Sequence, residues 1–125
     1  MSEECSDYID CRQAIKRLLD KPSVKVKVTG HALNRVIERC SSRIKKLNEH
    51  VVLDIVRNVI RDGLYKAYTQ TILVWTSSYL LACTLDRELN IIVKTVMTRN
   101  NLSDEVRARL KKGIKAKWSK IIVES

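Results

Sequence analysis

The 125-residue sequence predicts an α+β fold, a two-layer sandwich in which an antiparallel meander of three or four strands packs against helices. Three observations carry that expectation. Apolar residues recur with helical spacing over residues 7–20 and 51–60. VKVKV at 24–28 alternates valine with lysine, the pattern of a strand with one wet face. Residues 64–98 are rich in β-branched and aromatic residues and are broken by short polar turns.

The N-terminal helix, expected over 7–20, turns Ile9, Ala14, Ile15, Leu18 and Leu19 inward, and Lys21-Pro22-Ser23 ends it because proline cannot continue the hydrogen-bond ladder. The VKVKV strand then runs through Thr29-Gly30 into a helix reaching about Leu47. Asn48 is a candidate N-cap for the next helix, in which Val52, Ile55, Val56, Val59 and Ile60 form an apolar stripe. Asp62-Gly63 stops it, with glycine expected in the left-handed conformation. Four strand-like stretches follow, KAYTQ, TILVWTS, YLLACTL and NIIVKTVMT, with turns at Ser77-Ser78 and Asp86–Asn90. Ser103, followed by Asp104 and Glu105, caps a last, basic helix over 103–119, whose buried seam is Val106, Leu110, Ile114 and Trp118. Ile121–Val123 extends that helix or adds a strand. The length fits one domain, 1–125, with its core in 24–98.

The chain is 45% apolar and 30% charged, a globular rather than a disordered composition. Its longest apolar runs are too short to cross a bilayer, so no membrane partner is expected. The acidic, Cys-containing N-terminus lacks the basic-then-apolar order of a signal peptide, and a cytoplasmic location is expected. The formal charge of +10 favours a polyanion, nucleic acid first. Residues 1–20 hold five acids against three bases, whereas 99–125 hold eight bases against three acids, so the basic charge belongs to the body and the C-terminal segment. Cys5, Cys11, Cys40 and Cys83 have no zinc-finger spacing, and no metal or cofactor motif is present. Cys40 and Cys83 read as small core residues. Cys5 and Cys11 are near enough in sequence to cross-link, which a reducing cytosol opposes.

Residues 29–40, TGHALNRVIERC, divide on a helix into an apolar side (Leu33, Val36, Ile37, Cys40) and a polar side (His31, Arg35, Glu38, Arg39). That division fits an ordinary amphipathic helix with surface ion pairs, or a site built on its charged back. The strand entering H-A-x-x-R-x-x-E-R, a helix ending in glycine, and a closing I-I-V-x-T-V strand (Ile91–Val96) together resemble the RelE-like toxin superfamily. The likeness is to an uncharacterised branch with an HAxxRxxER helix and covers about residues 24–98.

The resemblance implies a sheet packed on helices, an RNA partner in preference to DNA, often metal-independent RNA cleavage, and an antitoxin-like protein partner. Cleavage without metal requires a base, an acid and cations for the phosphorane charge. His31 can act as acid or base, and Glu38 as a base or a positioning group. Arg35 and Arg39, one turn apart, can clamp a phosphate, and Lys94 in mid-strand must reach water, an acid or a ligand. The leading expectation is thus a small basic RelE-like domain that binds RNA, as a ribonuclease or as a relative that only binds. Tyr65, Tyr68 and Tyr79 are strand aromatics able to stack on bases. Two alternatives stand beside it. One is a non-enzymatic DNA- or RNA-binding module that uses Lys111, Lys112 and Lys115 on the basic helix. The other is a structural protein or homodimer joined through the 106–118 seam.

Overall fold

The computed structural model describes residues 9–33 and 49–125. Helix α1 is Cys11–Leu19, capped by the Asp10 carboxylate, which accepts the Arg12 backbone N–H at 3.0 Å. Strand β1 (Ser23–Val28) leads into a helical turn over residues 30–33, capped by the Thr29 hydroxyl accepting the Ala32 N–H at 3.1 Å. Helix α2 (Glu49–Asp62) is followed by β2 (Leu64–Ala67), β3 (Ile72–Trp75), β4 (Tyr79–Leu85) and β5 (Ile91–Thr98). A 3₁₀ turn (Arg99–Asn101), a short helix α3 (Asp104–Arg109), and strands β6 (Ile114–Lys115) and β7 (Lys120–Glu124) complete the order. The proposed N-cap Asn48, residues 34–47 of the expected helix, and Cys5 and Cys40 lie outside the described residues.

The seven strands form one mixed sheet in the order β6-β2-β3-β4-β5-β1-β7, which corrects the expected three- or four-stranded antiparallel meander. Strands β2 to β5 pair antiparallel in series. The sheet then continues through β1, which is parallel to both β5 and β7. VKVKV therefore sits between two strands rather than at an edge. Its valines are buried, Lys25 is exposed and Lys27 half-buried, as alternation requires when one face stays wet.

The two edge strands are joined by residues 116–119 alone. In a flat sheet, six gaps of about 4.8 Å would part those edges by roughly 29 Å. Five Cα steps from Lys115 to Lys120 reach at most roughly 18 Å. The sheet is therefore curled, and its concave face closes on α1 and α2; α2 packs against β3, β4 and the edge strand β7.

The concave core includes Val24, Val26, Val28, Val56, Ile60, Tyr65, Ile72, Val74, Cys83, Ile91 and Val93. A second, smaller cluster of Trp75, Leu80, Leu102 and Leu110 is joined at its edge by Val106 of α3. Trp75 and Leu80 are cross-strand partners whose sequence neighbours Val74 and Leu81 pair within the main core, so this cluster lies on the convex face.

The expected helix over 103–119 does not form beyond Arg109. Ser103 caps its start as expected, its Oγ accepting the Val106 N–H at 3.3 Å. Leu110 then turns into the convex cluster, Lys112 adopts a left-handed φ of 61°, and Gly113 is pressed against β2 and β3. A Cβ at Gly113 would stand 2.5 Å from the Leu64 Cβ and 2.9 Å from the Trp75 ring. The four-residue seam is thus divided: Leu110 is buried, Val106 and Trp118 are half-buried, and Ile114 is exposed.

Gly63 also departs from expectation. No described glycine has positive φ, and the Gly63 N–H continues the helix by donating to Val59 O at 2.8 Å. What the position requires is a small residue, because a Cβ there would collide with the Val59 carbonyl oxygen.

Candidate nucleic-acid interface

Between Val106 and Val123 the sequence carries seven bases and no acid. The fold holds most of this stretch as an extended strap across one end of the molecule. Residues 114–115 pair with β2, and residues 120–124 pair with β1. Between them Lys115, Ala116, Lys117 and Trp118 alternate: both lysines are exposed, while Ala116 and Trp118 pack on the core. Trp118 anchors the strap. Its indole N–H donates to Leu18 O at 3.2 Å, and its ring meets Tyr65 edge-to-face at 5.4 Å and 82°. The Ser119 N–H adds a bond to Pro22 O at 2.9 Å.

Lys111, Lys112, Lys115, Lys117 and Lys120 are all exposed, and among the described residues none is in a salt bridge. The ion pairs there include Arg12–Asp10, Lys25–Glu124 and Arg61–Asp62. Arg107 is partly engaged, donating to Arg99 O at 3.0 Å. Lysines two apart on an extended segment stand about 6.6 Å from one another, a separation comparable with that of neighbouring phosphates along a single strand.

Beside the strap, the C-terminal half of α1 and the loop after it complete a groove of about 640 Å³. Lys16 and Lys21 line one side and Lys115 and Lys117 the other, with Asp20 as the sole acid among the described residues. The sequence pattern singles out Lys115 as a candidate and puts Lys117 on the same basic face, but does not point to Lys16, Lys21 or Lys120. The signal was available, since K-A-K-W at 115–118 repeats the two-residue period that identified β1.

The polar side of the segment after β1 is only partly within the described residues. Arg35, Glu38 and Arg39 lie outside them. His31 is exposed in the first helical turn, and Lys94 is exposed on β5. Val28 pairs with Val93, and the Thr29 N–H donates to Val93 O at 3.4 Å, so His31 follows the end of β1 beside the middle of β5, where Lys94 lies.

Lys94 sits at a β-bulge opposite Ala82 and Cys83, where the extra residue on β5 directs it outward. It borders a depression of about 350 Å³ with Gln70, Thr71 and Thr84, and His31 does not line it.

Other residues considered for chemistry are accounted for by packing. Tyr65 cannot stack on a base: it is buried, and its hydroxyl donates to Ile60 O at 2.5 Å. His50 is exposed at the start of α2. Cys11 and Cys83 are free and buried, and burial pushes both thiols up from their ordinary range, away from the reactive thiolate. Among the described residues no group of three or more His, Cys, Asp or Glu is placed to hold a metal, and no helix is long and apolar enough to cross a membrane.

Comparison with known proteins yields no relative: no protein family, curated protein or solved structure matches the chain.

Proposed function

We propose that the protein binds RNA by laying the phosphate backbone along the cationic strap. The observation that supports this most is a stretch of seven bases without an acid, from Arg107 to Lys120, whose lysines stay exposed and, among the described residues, outside any salt bridge, while the backbone is held by β-pairing and Trp118. Holding cations in an extended row lowers the ordering cost of binding. It also favours a polyanion over a compact anionic ligand. The preference for RNA over DNA rests on the RelE-like resemblance of residues 24–98.

Binding of this kind releases counterions, so affinity falls steeply with salt. Each phosphate neutralised on a single strand contributes about 0.7 to the slope of log K against log salt. Replacing Lys115, Lys117 and Lys120 together by Gln should reduce that slope by about 2. Fluorescence anisotropy of a labelled RNA across a salt series measures it. A salt-independent affinity, or an unchanged slope in the triple variant, rejects the reading.

A second reading, metal-independent RNA cleavage, draws on the exposed His31, just past the end of β1, and the exposed Lys94 on the adjacent strand β5. Incubation of labelled RNA in EDTA tests it. Cleavage that His31→Ala abolishes supports catalysis, and intact RNA in the presence of wild-type protein removes it.

A further inference from the structure

We infer that the groove between α1 and the strap seats an unstacked nucleobase, so that the interface selects single-stranded over duplex RNA. This deepens the RNA-binding reading and rests on it.

The groove combines two chemistries. Its apolar surface comes from Ile15 and Leu19 on one face of α1, from Pro22, and from Ile114 on β6. Ile114 is 52% exposed and, with Ile122, is one of two large exposed hydrophobics among the described residues. Its cross-strand partner is Tyr65, so Ile114 lies on the face that closes on α1, and at this open edge of the sheet about half of its surface is left uncovered. Around this surface stand Lys16, Lys21, Lys115 and Lys117.

The pairing of chemistries narrows the ligand. Inorganic phosphate would satisfy the ammonium groups but leave the apolar surface in water. A neutral apolar molecule would strip water from four lysines without replacing it. A cation would be repelled. A nucleotide within a single strand offers an apolar plane with a phosphate on each side. The groove volume also lies within the usual range of about 300–1,000 Å³ for small-molecule sites. A duplex keeps its bases stacked inward and presents phosphates alone, so it reaches the lysines but not Ile114.

Binding of three probes by the full chain tests the inference at one fixed salt concentration: a 12-mer oligouridylate, an abasic strand of the same length, and a 12-base-pair RNA duplex. Wild-type protein should prefer the oligouridylate over the abasic strand by about ten-fold, the lower part of the range for a base on an aromatic ring, because the groove offers aliphatic surface instead. Ile114→Ser, with an unchanged far-ultraviolet circular dichroism spectrum as the check on its fold, should remove most of that preference while changing abasic-strand and duplex affinity by less than about two-fold.

Equal wild-type affinity for the oligouridylate and the abasic strand overturns the inference and leaves backbone binding standing. A uniform loss on all three probes in Ile114→Ser also overturns it. Binding to none of the three rejects the RNA-binding reading itself. Anionic vesicles bound in an Ile114-dependent way, with no preference for oligouridylate, would reassign the groove to a lipid surface and contradict the inference.

Discussion

Truncating Trp118 to alanine should loosen the strap from the body of the protein. The indole contributes in three ways. It donates to the Leu18 carbonyl at 3.2 Å, a net stabilisation of about 0.5–1.5 kcal/mol. Its edge-to-face contact with Tyr65, centroids 5.4 Å apart, adds about 0.5–1.5 kcal/mol beyond burial. The rest is apolar area, and here Trp118 is only half-buried.

A fully buried Trp→Ala change costs roughly 3–5 kcal/mol. Half-burial brings the expectation to about 2–3 kcal/mol. Leu18 O keeps the Lys21 N–H as a donor at 3.2 Å, so no buried carbonyl is orphaned. Trp118→Phe keeps a ring against Tyr65 and loses only the donor and some area, and should cost about 1 kcal/mol. Urea unfolding followed by far-ultraviolet circular dichroism reads both changes as shifts in midpoint at constant slope. A loss below about 0.5 kcal/mol in Trp118→Ala, against the 2–3 expected from the half-buried anchor, would refute the reasoning.

Two further outcomes follow from the packing and from the charges. Gly63→Ala should destabilise by about 1–3 kcal/mol, because the added Cβ meets two carbonyl oxygens, of Val59 and Trp75, that cannot yield without moving α2 against β3; a neutral midpoint in urea would show that the close approach is not real. Asp86 is subject to burial, which opposes its charge, but hydrogen bonds from Asn90 and the Glu88 N–H, with Lys27 nearby, outweigh it and hold the carboxyl below its ordinary 3.8. A depressed folded value means stabilisation that is complete above the ordinary value and lost as pH falls through the folded one. Asp86→Asn should therefore be less stable than wild type at pH 7, with the gap narrowing at pH 3. An equal gap at both pH values would count against this assignment.

The sequence made the local elements legible where one period dominated. VKVKV has no competing helical reading, and β1 formed where the alternation placed it. The apolar stripe of Val52, Ile55, Val56, Val59 and Ile60 likewise identifies α2; four of the five are buried and Ile55 is half-buried.

The C-terminal segment misleads because two periods coexist in it. Val106, Leu110, Ile114 and Trp118 match a helix, while K-A-K-W matches a strand. Tertiary contacts decide between them: Gly113 is held too tightly against Leu64 and Trp75 for a helix to pass, and β2 offers an edge for Ile114 and Lys115 to pair with.

Sheet order was not readable at all. The placement of β1 between β5 and β7 depends on parallel pairings between strands distant in sequence, for which local pattern carries no signal. For the candidate site, net charge pointed to the C-terminal segment but gave a helix where the chain is extended. The groove requires α1 and β6 to be neighbours, and only the curl of the sheet shows that.

The most direct test of the account is amide chemical-shift mapping of this 14.4 kDa chain during titration with a single-stranded RNA. The account predicts that perturbed amides cluster in residues 107–122 and at the C-terminal end of α1, around Lys16, Lys21, Ile114 and Lys117. Perturbations confined to the Lys25, Lys27 and Lys94 surface or to residues 30–47, with the strap unmoved, would contradict it.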